Sequence, residues 1–300
     1  MRPQRILVAT DLSPLADEAL KQADAWAKSY DALLVVCHVL PTVLPLDPMF
    51  PQEHVLDLDR LQELREKAGA AVLEQIERVT GRASREVELV LDEGAPYAAI
   101  VRQSEERAID LIVVGASGLN ALERILLGST AARVARYAHC PVLVARSGNP
   151  VGHVLAATDF SDRAQPAVLA GAEEARRRGT RLAVLHAIDS GFALPTDTMT
   201  DEPDSMPELE TTAALRESEA KLREFLRARH LDADVMVVEA PVVDAIVRAA
   251  RDLPAELVVV GTVGRTGLAR VTLGNVAESV VKHAPCSTLV VRVSRHARPA

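Results

Sequence analysis

The chain alternates two kinds of apolar pattern. Short apolar runs bounded by turn residues read as strands, and longer stretches with apolar residues every three or four positions read as helices. "RILVAT" (5–10) is a strand, and "SPLADEALKQADAWAKSY" (13–30) is a helix with Ser13 as its N-cap and Pro14 at its first position. "ALLVVCHVL" (32–40) is a second strand, followed by the proline-rich "PTVLPLDPMFPQEHV" (41–55) and a long helix through "LDRLQELREKAGAAVLEQIERVT" (58–80). The strand "REVELVL" (85–91), the helix "PYAAIVRQSEERA" (96–108), the strand "DLIVVG" (110–115), a helix after Gly128 and the strand "CPVLVAR" (140–146) complete the series. Strands separated by helical crossovers imply right-handed connections and a parallel, doubly wound sheet.

The same order then starts again. "HVLAATD" (153–159) opens a second series that closes on "CSTLVVR" (286–292). Residues 111–146 and 257–292 agree at 16 of 36 positions, and residues 7–19 and 155–167 at 7 of 13. The shared elements are "LxATDxSxxAxxA", one histidine at the end of the second strand (His38 and His186), a glycine motif and a final "CxxLVxR". Duplication explains this better than coincidence. The predicted fold class is therefore α/β, with two tandem doubly wound, Rossmann-like domains of five parallel strands each. Domain 1 covers residues 1–147 and domain 2 covers 151–294, divided near "RSGNPVGH" (146–153), where Gly, Asn and Pro interrupt the strand pattern. The second copy carries a longer, acidic loop, "DSGFALPTDTMTDEPDSMPELE" (189–210), to which no chemistry is assigned.

Composition narrows the function classes. Of the 300 residues 48% are hydrophobic but only 3% aromatic, so the cores must be built from Ala, Val, Leu and Ile. A net charge of −8 argues against a non-specific nucleic-acid or anionic-membrane surface. Three scattered cysteines, Cys37, Cys140 and Cys286, suit neither a disulfide framework nor a zinc site and read as small core residues. The strand pattern begins at once after "MRPQ", and no apolar run reaches the roughly 18 residues of a membrane span. The expectation is a cytoplasmic protein with no membrane and no nucleic acid among its partners.

In such a sheet ligands sit beyond the carboxyl ends of the strands, where the strand order reverses. Two segments per half emerge there: Ala9-Thr10-Asp11, repeated as Ala157-Thr158-Asp159, and the glycine motif after the fourth strand. That motif reads "GASGLNALERILLGST" (115–130) in the first copy and "GTVGRTGLARVTLGNV" (261–276) in the second. Gly115 and Gly118 allow close backbone approach. Gly128 leads into Ser129 and Thr130 at a helix start, where unpaired amides and the positive end of the dipole favour an anion. Three or four charge-assisted bonds of roughly 1.5–3 kcal/mol each are enough for micromolar binding, which needs about 8 kcal/mol.

There is no G-x-x-x-x-G-K-[ST] and no G-x-G-x-x-G after the first strand. Arg124 is the one cation between Gly115 and Thr130, and no carboxylate-and-cation set for phosphoryl transfer recurs in both halves. The motif can hold phosphates; it is poorly equipped to cleave them.

The arrangement G-x-x-G, nine residues, G-[ST] resembles the ATP-binding signature of the universal stress protein family. With it go "ILVATDLS" and "VLAATDFS", "EGAPYAAIV", "HCPVLVAR" and "APCSTLVVR", so the resemblance covers nearly the whole chain. It implies the adenine nucleotide alpha hydrolase-like version of the fold and an ATP ligand, with Mg²⁺ as an optional companion. By the same resemblance, Ala9, Thr10 and Asp11 line an adenine pocket and Val39 packs near the base. Gly115, Gly118, Gly128, Ser129 and Thr130 hold ribose and phosphates. The counterparts by position are Ala157, Thr158, Asp159, Ala187, Gly261, Gly264, Gly274, Asn275 and Val276. The second copy departs where Asn275 replaces the serine and Val276 the threonine, and where "GAP" (94–96) becomes "EAPV" (239–242) with its proline shifted. Both sites are expected to be nucleotide-competent, the first more securely.

The family's dimers imply that "CPVLVAR" and "CSTLVVR" pair within one chain, and that two such chains form a homodimer. Three functions stay open: an ATP-binding regulatory stress-response protein acting through nucleotide-dependent partner contacts, a slow ATPase or nucleotidyl-transfer enzyme, and a ligand-free interaction module whose glycines only shape turns.

Overall fold

The computed structural model describes residues 2–40, 58–116, 127–147, 152–189, 206–262 and 273–292. Arg2–Arg146 and Ser147–Val293 form two compact units. In the first, the elements run β1 (Arg5–Thr10), α1 (Pro14–Tyr30), β2 (Leu33–Leu40), α2 (Leu58–Thr80), β3 (Glu88–Glu93), α3 (Pro96–Glu106), β4 (Leu111–Gly115), α4 (Ser129–Tyr137) and β5 (Val142–Ala145). In the second they run β6 (Val154–Ala157), α5 (Gln165–Arg178), β7 (Leu182–Ile188), α6 (Met206–Arg227), β8 (Asp234–Glu239), α7 (Val242–Asp252), β9 (Leu257–Gly261), α8 (Asn275–His283) and β10 (Ser287–Val291).

Within the first unit the strand order is β3-β2-β1-β4-β5, all parallel. The second unit repeats it as β8-β7-β6-β9-β10. Ile6, Leu7 and Val8 of β1 and Leu111, Ile112 and Val113 of β4 have no exposed surface, as suits parallel strands with helices on both faces. Cys37, Cys140 and Cys286 are free and buried. Burial pushes the Cys37 thiol up to about 12, which leaves it inert.

Local chemistry sets the element ends. Ser13 Oγ accepts from the Ala16 amide at 3.2 Å, with Pro14 at the first turn of α1. At the 148-residue spacing the repeat carries its proline four residues later, at Pro166, and α5 starts correspondingly late, at Gln165. Proline fits only the first turn, so it marks the start. Both helices end on a left-handed residue, Asp31 (φ 53°) and Gly179 (φ 66°). The sequence pattern extends the third strand back to Arg85, whereas Ser84–Glu86 forms a 3₁₀ turn and β3 begins at Glu88. The Glu86 carboxylate accepts from the Ala83 amide at 2.7 Å and holds that turn, a local bond that strand periodicity does not reveal.

No helix among the described residues is long and apolar enough to cross a membrane.

Candidate functional site

β1 is hydrogen-bonded to β2 on one side and to β4 on the other, and the chain runs outward from it in both directions. The edge between β1 and β4 is therefore the switch point, and Thr10-Asp11 and Gly115 leave the sheet there as neighbours.

The turn after β1 is held by its own side chains. Thr10 is buried, and its hydroxyl accepts from the Leu12 amide at 3.0 Å while donating to Gln75 Oε1 at 2.7 Å. Asp11 Oδ1 accepts from the Ser13 amide at 3.0 Å. Between them Leu12 takes φ 65°, a left-handed conformation that costs a non-glycine residue roughly 1–2 kcal/mol. His38 Nδ1 lies 2.9 Å from the Thr10 carbonyl and, as donor, ties the ends of β1 and β2 together. Behind this, Gln75 Nε2 donates to Asp17 Oδ1 at 2.7 Å, and Arg78 grips the same carboxylate at 2.8 and 3.0 Å. The Arg78 hydrogen bond is the chief reason the Asp17 carboxyl titrates below its ordinary range.

The second unit repeats three of these bonds. The Phe160 amide donates to Thr158 Oγ1 at 3.1 Å, the Ser161 amide to Asp159 Oδ1 at 3.0 Å, and His186 Nδ1 sits 2.9 Å from the Thr158 carbonyl. Phe160, at φ 64°, takes the place of Leu12. The buried glutamine brace is not repeated. Phe160 instead packs on His186 with ring centroids 4.3 Å apart, and Lys221 Nζ lies 4.8 Å from the Phe160 centroid.

At the β4 side, Gly115 pairs in register with Ala145, and the Ala116 amide donates to the Ala145 carbonyl at 2.9 Å. The Gly128 amide then donates to the Ala116 carbonyl at 2.7 Å, so it closes the loop and is spent as a ligand donor. Gly128 is the N-cap of α4 and supplies no side chain to cap it. The amides of the first turn, beginning with Ser129 and Thr130, thus have no intrahelical acceptor. Ser129 is exposed and Thr130 half-buried.

In the second unit the Gly274 amide donates to Thr262 at 2.7 Å, leading into exposed Asn275 and Val276. Gly261 has a packing reason of its own: a Cβ there would lie 3.3 Å from the Arg163 carbonyl oxygen.

Ala9, Ala157, Val39 and Ala187 are half-buried near the ends of β1, β6, β2 and β7. Gly118, Gly264 and Arg124 lie outside the described residues. Two features go unassigned from the sequence. Gln75 reaches Thr10 across 65 positions, with no periodic signal to announce it. Glu278, in the first turn of α8, was readable as a carboxylate just after Gly274; the first turn of α4 carries no acid. Among the described residues no group of three or more His, Cys, Asp or Glu is placed to hold a metal ion.

The sequence profile of the universal stress protein family matches residues 3–146 and again 150–292. The chain belongs to the universal stress protein family. A universal stress protein of Mycolicibacterium smegmatis is 30% identical over 298 residues, covering 96% of each chain, so the tandem arrangement is shared along the full alignment. One from Methanocaldococcus jannaschii is 36% identical over 143 residues, 48% of this chain and 82% of its own. The crystal structure of a universal stress protein from Archaeoglobus fulgidus superposes with a TM-score of 0.64 at 21% identity, covering 97% of both chains, and shows the same fold.

Proposed function

We propose that this universal stress protein binds an adenine nucleotide, ATP in the first instance, at the switch point of each repeat, and that the first repeat binds it more tightly. The observation that carries this reading is the first turn of α4. Its amides lack a side-chain cap, no acid lies in that turn, and it follows the strand that adjoins the Thr10-Asp11 turn. A triphosphate would accept from the amides of Ser129 and Thr130 and from the Ser129 hydroxyl, with helix-dipole support. The sugar and base would lie toward Asp11 and Val39. Gly115 ends β4 and Gly128 caps α4, and Gly118 belongs to the same sequence motif. In the second repeat Ala157, Thr158, Asp159, Ala187, Gly261, Gly264, Gly274, Asn275 and Val276 stand at the same positions. There the Glu278 charge opposes phosphate at the same helix end.

A bound nucleotide would act as a regulatory signal, read by partner proteins in a cytoplasmic homodimer, and Mg²⁺ would arrive with the nucleotide. The test is mass spectrometry of gently purified, then denatured, protein, joined to calorimetric titration with ATP. Recovery of adenine nucleotide, or micromolar binding that Ser129→Ala weakens, supports the reading. Neither recovery nor binding would leave a ligand-free module. Steady turnover lost in Asp11→Ala would move the protein to the enzymes.

A further inference from the structure

A second feature lies away from the switch point, beside the C-terminal half of α5. A cleft of about 600 Å³ opens between that helix, the start of β7 and the chain joining α6 to β8. Ala172 and Arg176 line it from α5, and Arg229 and His230 line it from beyond α6.

The repeat shows what the cleft lacks. α1 and α5 correspond at a spacing of 148 residues, so Ala172 stands where the first unit has Asp24, and Arg176 where it has Lys28. Arg229 is the second residue beyond α6, as Arg82 is the second beyond α2. In the first unit the three side chains form one compact triad. Asp24 is buried, Arg82 Nε bonds to its Oδ1, and Lys28 Nζ lies 2.7 Å from its Oδ2.

The second unit keeps both cations and has lost the carboxylate between them. Arg229 has turned aside, donating to Gln165 Oε1 at 2.7 Å and to the Phe225 carbonyl at 3.3 Å and stacking 3.9 Å from the Phe225 ring centroid, so a ligand in the cleft must draw its guanidinium back from these partners. It has no carboxylate partner among the described residues. Arg176 pairs with Glu173 at the surface, an exposed contact that opens at little cost. The other charges on the cleft are Arg181, held to Asp234 at 2.6 Å, and Asp232. Three arginines thus face two aspartates.

We propose that this cleft is a binding site for a small free carboxylate, which takes the place that Asp24 fills in the first repeat and bridges Arg176 and Arg229. A volume near 600 Å³ falls within the range of small-ligand sites, roughly 300–1,000 Å³. Guanidinium groups pair with carboxylate in planar, bidentate geometry, so a dicarboxylate can engage both arginines at once.

The test titrates the full chain with succinate by calorimetry, with phosphate and chloride at matched ionic strength as controls. Succinate is expected to bind saturably below about 1 mM, where the controls do not. Ala172→Asp, which installs the missing acid at a half-buried position, should abolish the binding. Arg229→Gln should weaken it about tenfold or more while Ala172 is left in place. Conversely, Asp24→Ala in the first unit should acquire a succinate-dependent Trp26 unfolding midpoint that the parent chain lacks. Equal binding of succinate to Ala172→Asp, an equal response to phosphate, or no saturation up to about 10 mM overturns the proposal.

Discussion

The two repeats share a backbone and differ in how they fill it. At the same point of the first helix Trp26 and Glu174 are each 1% exposed. The first unit stacks Trp26 on Tyr30 with centroids 5.8 Å apart. The second surrounds Glu174 with Arg177 at 2.8 Å and Arg178 at 3.2 Å, and Arg178 reaches Glu256 at 3.5 Å. An indole and an ion cluster thus do the same space-filling work. They fail differently. Removing the indole leaves a cavity, whereas removing the glutamate takes away the carboxylate that two half-buried guanidinium groups share, with Glu256 still beside Arg178. The contrast reaches the mouths of the sheets, where a buried glutamine braces the first turn and an aromatic-cation stack the second.

The comparison can be broken most forcefully at Glu174. Glu174→Ala should cost about 3–5 kcal/mol, seen as a lower urea midpoint by circular dichroism. Trp26 is the one tryptophan and sits in the first unit, so its fluorescence midpoint should move less. Equal movement of both signals would show that the repeats unfold as one.

Next in size is Thr10→Val. It strips two bonds from the turn and leaves the Gln75 amide oxygen buried, and it should cost about 1–3 kcal/mol by Trp26 fluorescence. Smaller effects belong to the anion ends. Ser129→Ala should weaken ATP binding at the first repeat about fivefold. Glu278→Ala should strengthen it at the second by about two- to fivefold, both read by calorimetry.

The smallest effect is in pH. The Asp17 carboxyl titrates below its ordinary 3.8, so its contribution is full above that value and is lost as pH falls through the folded-state pKa. Burial chiefly raises the Glu256 carboxyl above its ordinary 4.5, so the fold holds its proton more tightly than the unfolded chain does. Its contribution is present below 4.5 and lost as pH rises through the raised value. Asp17→Asn should therefore flatten the acid limb of first-repeat stability. Glu256→Gln should stabilise the second repeat at neutral pH and do little near pH 4. Urea midpoints across that range check both signs.

Most of the fold was readable because its signals are local and occur twice. Apolar runs announced the strands, and Ser13 and Pro14 the start of α1. The placement of Thr10-Asp11 beside Gly115 also followed, since a doubly wound sheet puts those strand ends together. The start of β3 was misjudged because a side-chain bond from Glu86 outweighed the strand pattern.

From residue order alone came the duplication, the α/β class, the family and the segments that meet at the sheet edge. All of these depend on periodicity, on spacing or on two copies that agree. What folding decided is which partners close each site: Gln75 under Thr10, the Gly128 amide spent on Ala116, and two cations left around Ala172 where the first repeat carries an acid. Those contacts join residues far apart in the chain or depend on which hydrogen bonds are already satisfied, and neither leaves a mark on a one-dimensional pattern.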